Sequence, residues 1–220
     1  VVFSEPLELY GHLLNRIDEP VPVLPAPVYS YLPVSKHRFS AKTGDFVVTS
    51  PDGANQFGAI LNIKEYTDGT YPGILNGLKY LDFEYVVTHS FSPMGRHDAL
   101  KALDRTKGMM ISSGDKAFSQ IAELDHAMDQ LASGNFVLGE YHFTIAIYAP
   151  SQETLSQQIA ATRAELSNAG FVSVKEDLAF TASFCCQLPC YWRYRTPLAK
   201  GSWLNFLGLS PLHNFATGKK

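Results

Sequence analysis

The most suggestive chemistry in the chain is HNFATGKK, His213 to Lys220, because Gly218-Lys219 is how a phosphate-cradling loop ends. That loop needs Gly, four residues, then Gly-Lys-Ser/Thr. Here His213 stands where the first Gly belongs and Lys220 where a hydroxyl would hold magnesium, so the motif fails at two positions. The thiols in FCCQLPC, Cys185, Cys186 and Cys190, contain no C-x-x-C pair, and a zinc site would need His from elsewhere. They read as small buried hydrophobes. GLSPL has Gly208 and Ser210 but Leu212 in place of the second Gly of a nucleophile elbow. His89 and His142 fall on strand-like segments, where hydrogen-bonded packing is the plain reading. Glu65 and Glu140 sit near strand ends, and spacing alone does not bring them together for acid–base work.

A charge asymmetry is more informative. Residues 178–220 hold Arg193, Arg195, Lys200, Lys219 and Lys220 and no acidic residue, so the net charge of −3 divides into +5 there and −8 over residues 1–177. Tyr191, Trp192, Tyr194, Trp203, Phe206 and Phe215 are interleaved with those cations. Arg with aromatics is the composition of a protein–protein anchor. It is also the composition that tracks a single nucleic-acid strand, which stays open as the alternative over residues 191–215.

The rest of the chain is that of an ordinary folded protein. It has 220 residues, 45% hydrophobic and 18% charged. No apolar run reaches the roughly 20 residues of a membrane helix. The first twenty residues lack the basic leader and small-residue cleavage site of a secretory signal. Three cysteines make no complete disulfide framework, which points to a reducing cytoplasm. A start at Val1 suggests a piece of a longer polypeptide.

Periodicity gives the elements. Leu7, Tyr10, Leu14 and Ile17 make one helical stripe over 6–17, and prolines at 20, 22, 25, 27 and 33 then impose an extended segment. Phe46–Thr49, the turn SPDG and the run QFGAILNIKEY read as a meander. Thr70, Pro72 and the apolar set Ile74, Leu75, Leu78 and Leu81 predict a helix. Residues 83–91 alternate, with apolar side chains on both faces, which predicts a strand inside the sheet. Residues 94–133 predict a helical hairpin broken at SSGD (112–115). A strand over 140–149, a helix capped by Ser151 and ended by Gly170, and a strand over 171–176 follow. This order predicts an α+β fold: a ferredoxin-like double βαβ sheet with an inserted helical hairpin and an N-terminal β-meander. The expected organisation is an N-terminal helix and Pro-rich segment (1–37), an α/β core (38–177) and a basic, aromatic C-terminal segment (178–220).

Eight blocks occur in order: LNIKEY (61–66), YPGILNGL (71–78), THSF (88–91), LASG (131–134), GEYHFTI (139–145), KEDL (175–178), QLP (187–189) and LHNFATGK (212–219). From about Leu9 to Lys220 the chain resembles the N-terminal region of the large ATPase of type IV secretion and conjugation systems, the CagE/TrbE/VirB group. That family usually reads Gln-Leu-Pro-Gly-Asn where this chain has Pro189-Cys190-Tyr191. A Gly would supply a left-handed turn that Cys resists, which leaves room for a different local loop. The resemblance implies a scaffold domain without catalytic, cofactor or metal residues. ATP and magnesium would bind in a motor domain further along. It implies a cytoplasmic location, peripheral to the bacterial inner membrane. The implied partners are the motor domain, inner-membrane subunits of the secretion complex, and further copies of the full-length protein. The residues marked as a candidate interface are Gln187, Arg193, Arg195, His213 and Asn214.

Overall fold

The structure, a computed structural model, describes residues 2–67, 69–112, 118–196 and 198–210. Its elements in chain order are α1 (Glu5–Asn15), β1 (Lys36–Ser40), β2 (Asp45–Thr49), β3 (Asn55–Glu65), β4 (Tyr85–Pro93), α2 (Arg96–Ser112) and α3 (Phe118–Ala132). They continue with β5 (Leu138–Ala149), α4 (Gln152–Asn168), β6 (Val172–Lys175), α5 (Phe180–Cys185), β7 (Ala199–Ser202) and α6 (Trp203–Leu209).

The strands run in the order β1-β2-β3-β5-β4, with β6 added to β3 and β7 to β5. The length of β3 explains how it serves three neighbours. Asn55–Ala59 pair with β2, Phe57–Asn62 with β5, and Leu61–Glu65 with β6, all antiparallel. Asn62 faces Thr144 on one side and Val174 on the other, so β6 takes the same edge of β3 that β2 takes further back. The path β6-β3-β5-β4 is the order of a ferredoxin-like sheet, the architecture expected from the alternation of strands and helices. The meander β1-β2-β3 extends it.

Two expectations are corrected. The crossover after β3 is a series of turns and a 3-10 helix, Asn76–Tyr80, rather than an α-helix. Gly73 takes φ +90° inside the apolar pattern, and Gly77 follows, so the backbone that periodicity assigned to a helix is bent instead. The strand β4 ends the sheet path rather than lying inside it. Its residues are almost all half-buried, which fits an edge whose two faces are each partly covered. The predicted hairpin is present as α2 and α3; of its break at 112–115, residues 113–115 lie outside the described residues.

Contacts divide the chain into two compact units, Val1–Thr67 with Leu75–Thr88 and Phe143–Pro197, and Asp68–Ile74 with His89–His142 and Leu198–Lys220. In the first, one face of β3 and β5 carries Ile60, Ala146 and Tyr148, packed with Phe46, Val48, Phe180 and Phe184. Ala59, Leu61, Ile145 and Ile147 alternate with them and are also fully buried, while α4 packs on β3 and β6 with Leu155 and Leu166. Coverage on both faces is why β3 and β5 read as unbroken apolar runs. Ser151 caps α4, accepting from the Thr154 N–H at 3.1 Å. Buried Asp45, opening β2, accepts from Gln152 of α4 at 2.7 Å and pairs with Lys175 of β6. In the second unit β7 pairs with Leu138–Tyr141, and Ser202 and Asn205 form a capping box that starts α6.

Gly58 shows how tightly the first core is filled, because a Cβ there would lie 2.2 Å from the Phe46 ring. Phe46 cannot step aside, with Phe39, Tyr148, Phe180 and Phe184 around it at centroid distances of 5.1–6.1 Å. Gly58→Ala is therefore expected to lower stability by about 2–3 kcal/mol, read as a fall in the urea midpoint at constant slope.

Candidate interaction surface

Arg16 follows the last turn of α1 in the left-handed conformation, φ 59° and ψ 38°, and its N–H bonds to the His12 carbonyl. That turn sends its side chain inward, where only 1% of it is exposed. A buried guanidinium must be met by partners on every side. Arg16 ion-pairs with Glu84 and donates to Gln56 Oε1 at 3.3 Å. Its guanidinium carbon lies 3.8 Å from the centroid of Tyr148. His12 adds a contact of 2.9 Å to Glu84 and pairs with Asp18 on its other nitrogen. Burial alone would push the Glu84 carboxyl up, but the hydrogen bond and charge of Arg16, with His12, hold it below its ordinary value.

The Tyr148 ring carries the arrangement forward. Burial raises its hydroxyl to about 12, so it is a donor throughout the physiological range. It donates to Gln187 Oε1 at 2.8 Å. Gln187, one of the marked residues, is thus buried and holds the end of α5 rather than facing solvent. From there the chain makes successive tight turns, Leu188 N–H to Cys185 O, Tyr191 N–H to Leu188 O and Tyr194 N–H to Tyr191 O, at 3.0–3.2 Å. The Tyr10 hydroxyl of α1 pins the second of them, donating to Pro189 O at 3.0 Å.

These turns present a stiff set of large side chains. Tyr191 and Tyr194 stack at 5.6 Å, and the Arg193 guanidinium lies 5.6 Å from the Trp192 ring. Arg195 donates to the Trp192 carbonyl at 2.9 Å. Trp192 is 63% exposed, and Tyr191, Arg193 and Tyr194 are exposed beside it. Of the marked residues, Gln187, Arg193 and Arg195 therefore belong to one run of turns, Gln187 buried at its start and Arg193 exposed near its end. His213 and Asn214 lie outside the described residues.

Cys190 sits within this turn at φ +72°. The backbone there lies in the left-handed region that a Gly adopts freely, so Cys at this position is strained. The other thiols are inert in character: burial raises Cys186 to about 11 and Cys185 in the same direction, and Cys186 donates to Ser183 O at 3.0 Å. Among the described residues no group of three or more His, Cys, Asp or Glu side chains could hold a metal ion. Glu65 stands opposite Val172 and Glu140 opposite Lys200, each at a strand end. His142 is wholly buried, and the half-buried ring of His89 lies 5.2 Å from Phe206. In the second unit an open groove of about 820 Å³ runs between the hairpin, through Ala122, His126 and Ala127, and the β7–α6 junction, through Ser202 and Leu204. Among the described residues no helix is long and apolar enough to cross a membrane.

Sequence reasoning missed Arg16 and Glu84. Neither stands in a motif, and 68 residues separate them. The available signal was a lone Arg at the end of an amphipathic helix, which ordinarily is a solvated helix end.

Two outcomes follow from this geometry. Glu84→Gln leaves the Arg16 charge buried without its counter-ion, and because Glu84 is half-exposed the expected loss at pH 7 is about 2 kcal/mol, below that of a fully buried pair. The folded-state pKa of Glu84 is depressed, so its stabilisation is complete above the ordinary carboxylate value and lost as pH falls through the folded one. Urea titrations of the two proteins should converge at acid pH. Cys190→Gly should raise stability by about 0.5–1 kcal/mol, the relief of left-handed strain less the added freedom of Gly in the unfolded chain, measured as a higher urea midpoint.

Comparison with known proteins gives a consistent result. The family model described as CagE, TrbE, VirB family, component of type IV transporter system, matches residues 1–196. The chain is 39% identical over 217 residues to the type IV secretion system protein virB4 of Brucella melitensis, covering 99% of this chain and 26% of that protein. It is 37% identical over 218 residues to the type IV secretion system protein PtlC of Bordetella pertussis, with 99% and 26% covered. It is 33% identical over 219 residues to the virB4 protein of Bartonella henselae, with 100% and 28% covered. The chain thus spans about a quarter of the length of these relatives.

Proposed function

The chain belongs to the CagE/TrbE/VirB family of type IV transporter components, and from that premise we propose that it is the non-catalytic scaffold domain of a secretion ATPase. In this reading it holds the motor to the inner-membrane complex while protein or DNA is exported. It lies on the cytoplasmic side, peripheral to the inner membrane. Its partners are the motor domain of its own full-length protein and inner-membrane subunits of the secretion complex. ATP and magnesium belong to the motor domain.

The observation that carries the reading is the exposed turn Tyr191–Tyr194 standing on a buried polar network. Trp, Tyr and Arg are the side chains that anchor protein interfaces, since each buries a large area or donates in a fixed fork at little entropic cost. A motor does useful work only against something fixed, and a stiff adhesive surface is what a mount contributes. A second reading, a single nucleic-acid strand on the same turn, draws on the stacked Tyr191–Tyr194 pair beside Arg193. It requires affinity that falls steeply with salt and is lost on replacing Arg193 and Arg195.

The test uses the 220-residue chain and the full-length protein side by side. The chain alone is expected to hydrolyse no ATP yet to be recovered with inner-membrane subunits of the secretion complex when produced with them. The full-length protein lacking residues 1–210 should keep ATP hydrolysis and lose that recovery. Turnover by the purified chain, or normal recovery of the truncated motor, would overturn the reading.

A further inference from the structure

The scaffold reading leaves a second surface of the first unit unused, the one formed by α1 and the proline-rich arm after it. Val2, Phe3, Val23 and Leu24 are exposed there, Val2 at 72%. The arm is held at both ends. At one end Val23 N–H donates to Val2 O at 2.8 Å beside the Phe3–Pro22 bridge. At the other, buried Asn15 donates to Leu32 O at 2.7 Å and accepts from the N–H groups of Val34 and Ser35 at 3.0 and 3.1 Å. Between helix and arm lies a cleft of about 260 Å³, lined by Gly11 and Asn15 of α1 and by Ile17, Glu19, Leu24 and Val34. A Cβ at Gly11 would lie 3.3 Å from Val21 Cγ2, so the missing side chain is what lets the arm come this close to the helix. The cleft is smaller than the roughly 300–1,000 Å³ of a small-molecule site. It suits an apolar side chain from a segment lying across it.

The charge of this surface has one sign. Residues 2–35 hold Glu5, Glu8, Asp18 and Glu19, and their one Lys or Arg, Arg16, is buried against Glu84. Glu19 lines the cleft, and Glu8 stands one turn before Gly11 on the same face of α1. Pro20, Pro22, Pro25 and Pro27 carry carbonyls and no N–H, so they add acceptors to the arm without donors. An apolar cleft ringed by carboxylates and carbonyls selects a segment that presents Lys or Arg around an apolar side chain. Resting on the scaffold reading, we propose that the surface between α1 and the arm binds the cationic, apolar segment that flanks the cytoplasmic end of a membrane helix in an inner-membrane subunit. Such flanks carry an excess of Lys and Arg directly beside an apolar span. The clamped arm has little freedom left to lose on docking. The same carboxylates repel an anionic bilayer and a second copy of this surface.

Fluorescence anisotropy of the 220-residue chain with short labelled peptides, tiling the cytoplasmic flanks of those subunits' membrane helices, tests this. At least one cationic, apolar peptide is expected to bind with Kd on the order of 10 μM at low salt, weakening several-fold as salt rises from about 0.05 to 0.3 M. Leu24→Asp should weaken binding at least about tenfold, and Glu19→Lys several-fold. Both positions are exposed, and circular dichroism verifies the folding of each variant. A peptide with one Lys→Glu exchange that loses affinity for the wild-type chain should regain it on Glu19→Lys. Trp192→Ala should leave binding unchanged, because that side chain has no part in the cleft. The absence of any binding peptide overturns the proposal, as does binding that Leu24→Asp and Glu19→Lys leave unchanged. Leu24-dependent binding to phosphatidylglycerol vesicles, or Leu24-dependent self-association, without peptide binding would reassign the cleft and overturn it too. Recovery of Leu24→Asp with the inner-membrane subunits at the wild-type level would overturn the proposal and leave the scaffold reading standing. Peptide binding is in turn measured without that recovery, so the two readings fail separately.

Discussion

The surface of the first unit is organised by one constraint, the burial of a positive charge at Arg16. Taking a guanidinium out of water costs several kcal/mol unless partners replace its hydration. Here the partners come from four places in the chain: Glu84 before β4, Gln56 in β3, the ring of Tyr148 in β5 and His12 one turn back in α1. None of these can shift without exposing a desolvated charge to an unfavourable environment. The left-handed backbone at Arg16 belongs to the same constraint, because it lets the helix end and its side chain turn inward in a single residue.

Rigidity passes outward from that charge. Tyr148 is fixed on one side by the cation and on the other by Gln187, whose position sets the end of α5. Tyr10, on the same helix as the cation's hydrogen-bond partner His12, secures Pro189. The exposed aromatics at 191–194 are therefore ordered from below, by the buried Tyr148–Gln187 bond, which is strong in its dry setting, and by the more exposed Tyr10–Pro189 bond. Asn15, one residue before the cation, performs the corresponding service for the exposed proline-rich segment after α1, donating to Leu32 O and accepting from the Val34 N–H. The end of α1 thus orders two of the exposed surfaces of this unit.

Much of this architecture was legible in the residues. The Leu7–Ile17 stripe, the capped run after Ser151 and the alternation in 140–149 obey simple periods, and each became the expected element. The ferredoxin-like order followed from alternation of strands and helices. Periodicity misled at 70–81, where an apolar pattern of helical spacing ran through glycines that bend the backbone, and at 83–91, where apolar residues on both faces came from partial cover at an edge. The basic, aromatic composition after Asp177 pointed to the exposed turn. What composition could not reveal was that Gln187 lies beneath it, since burial of a polar side chain depends on a tyrosine 39 residues away. Nor could it reveal the Arg16–Glu84 pair, because long-range ion pairs leave no local pattern.

Two exposed apolar surfaces in one unit would ordinarily invite uncontrolled association. The residue types in each limit how that can happen. Prolines at 22, 25 and 27 remove the N–H groups a strand would need, so the arm cannot recruit a neighbour by extending a sheet. Asp18 and Glu19 make it repel its own copy on another chain. The turn is too short and too curved to pair as a strand, and Arg193 and Arg195 likewise keep two turns apart. Like surfaces are discouraged. Chemistry rather than area thus separates an adhesive surface from an aggregation-prone one.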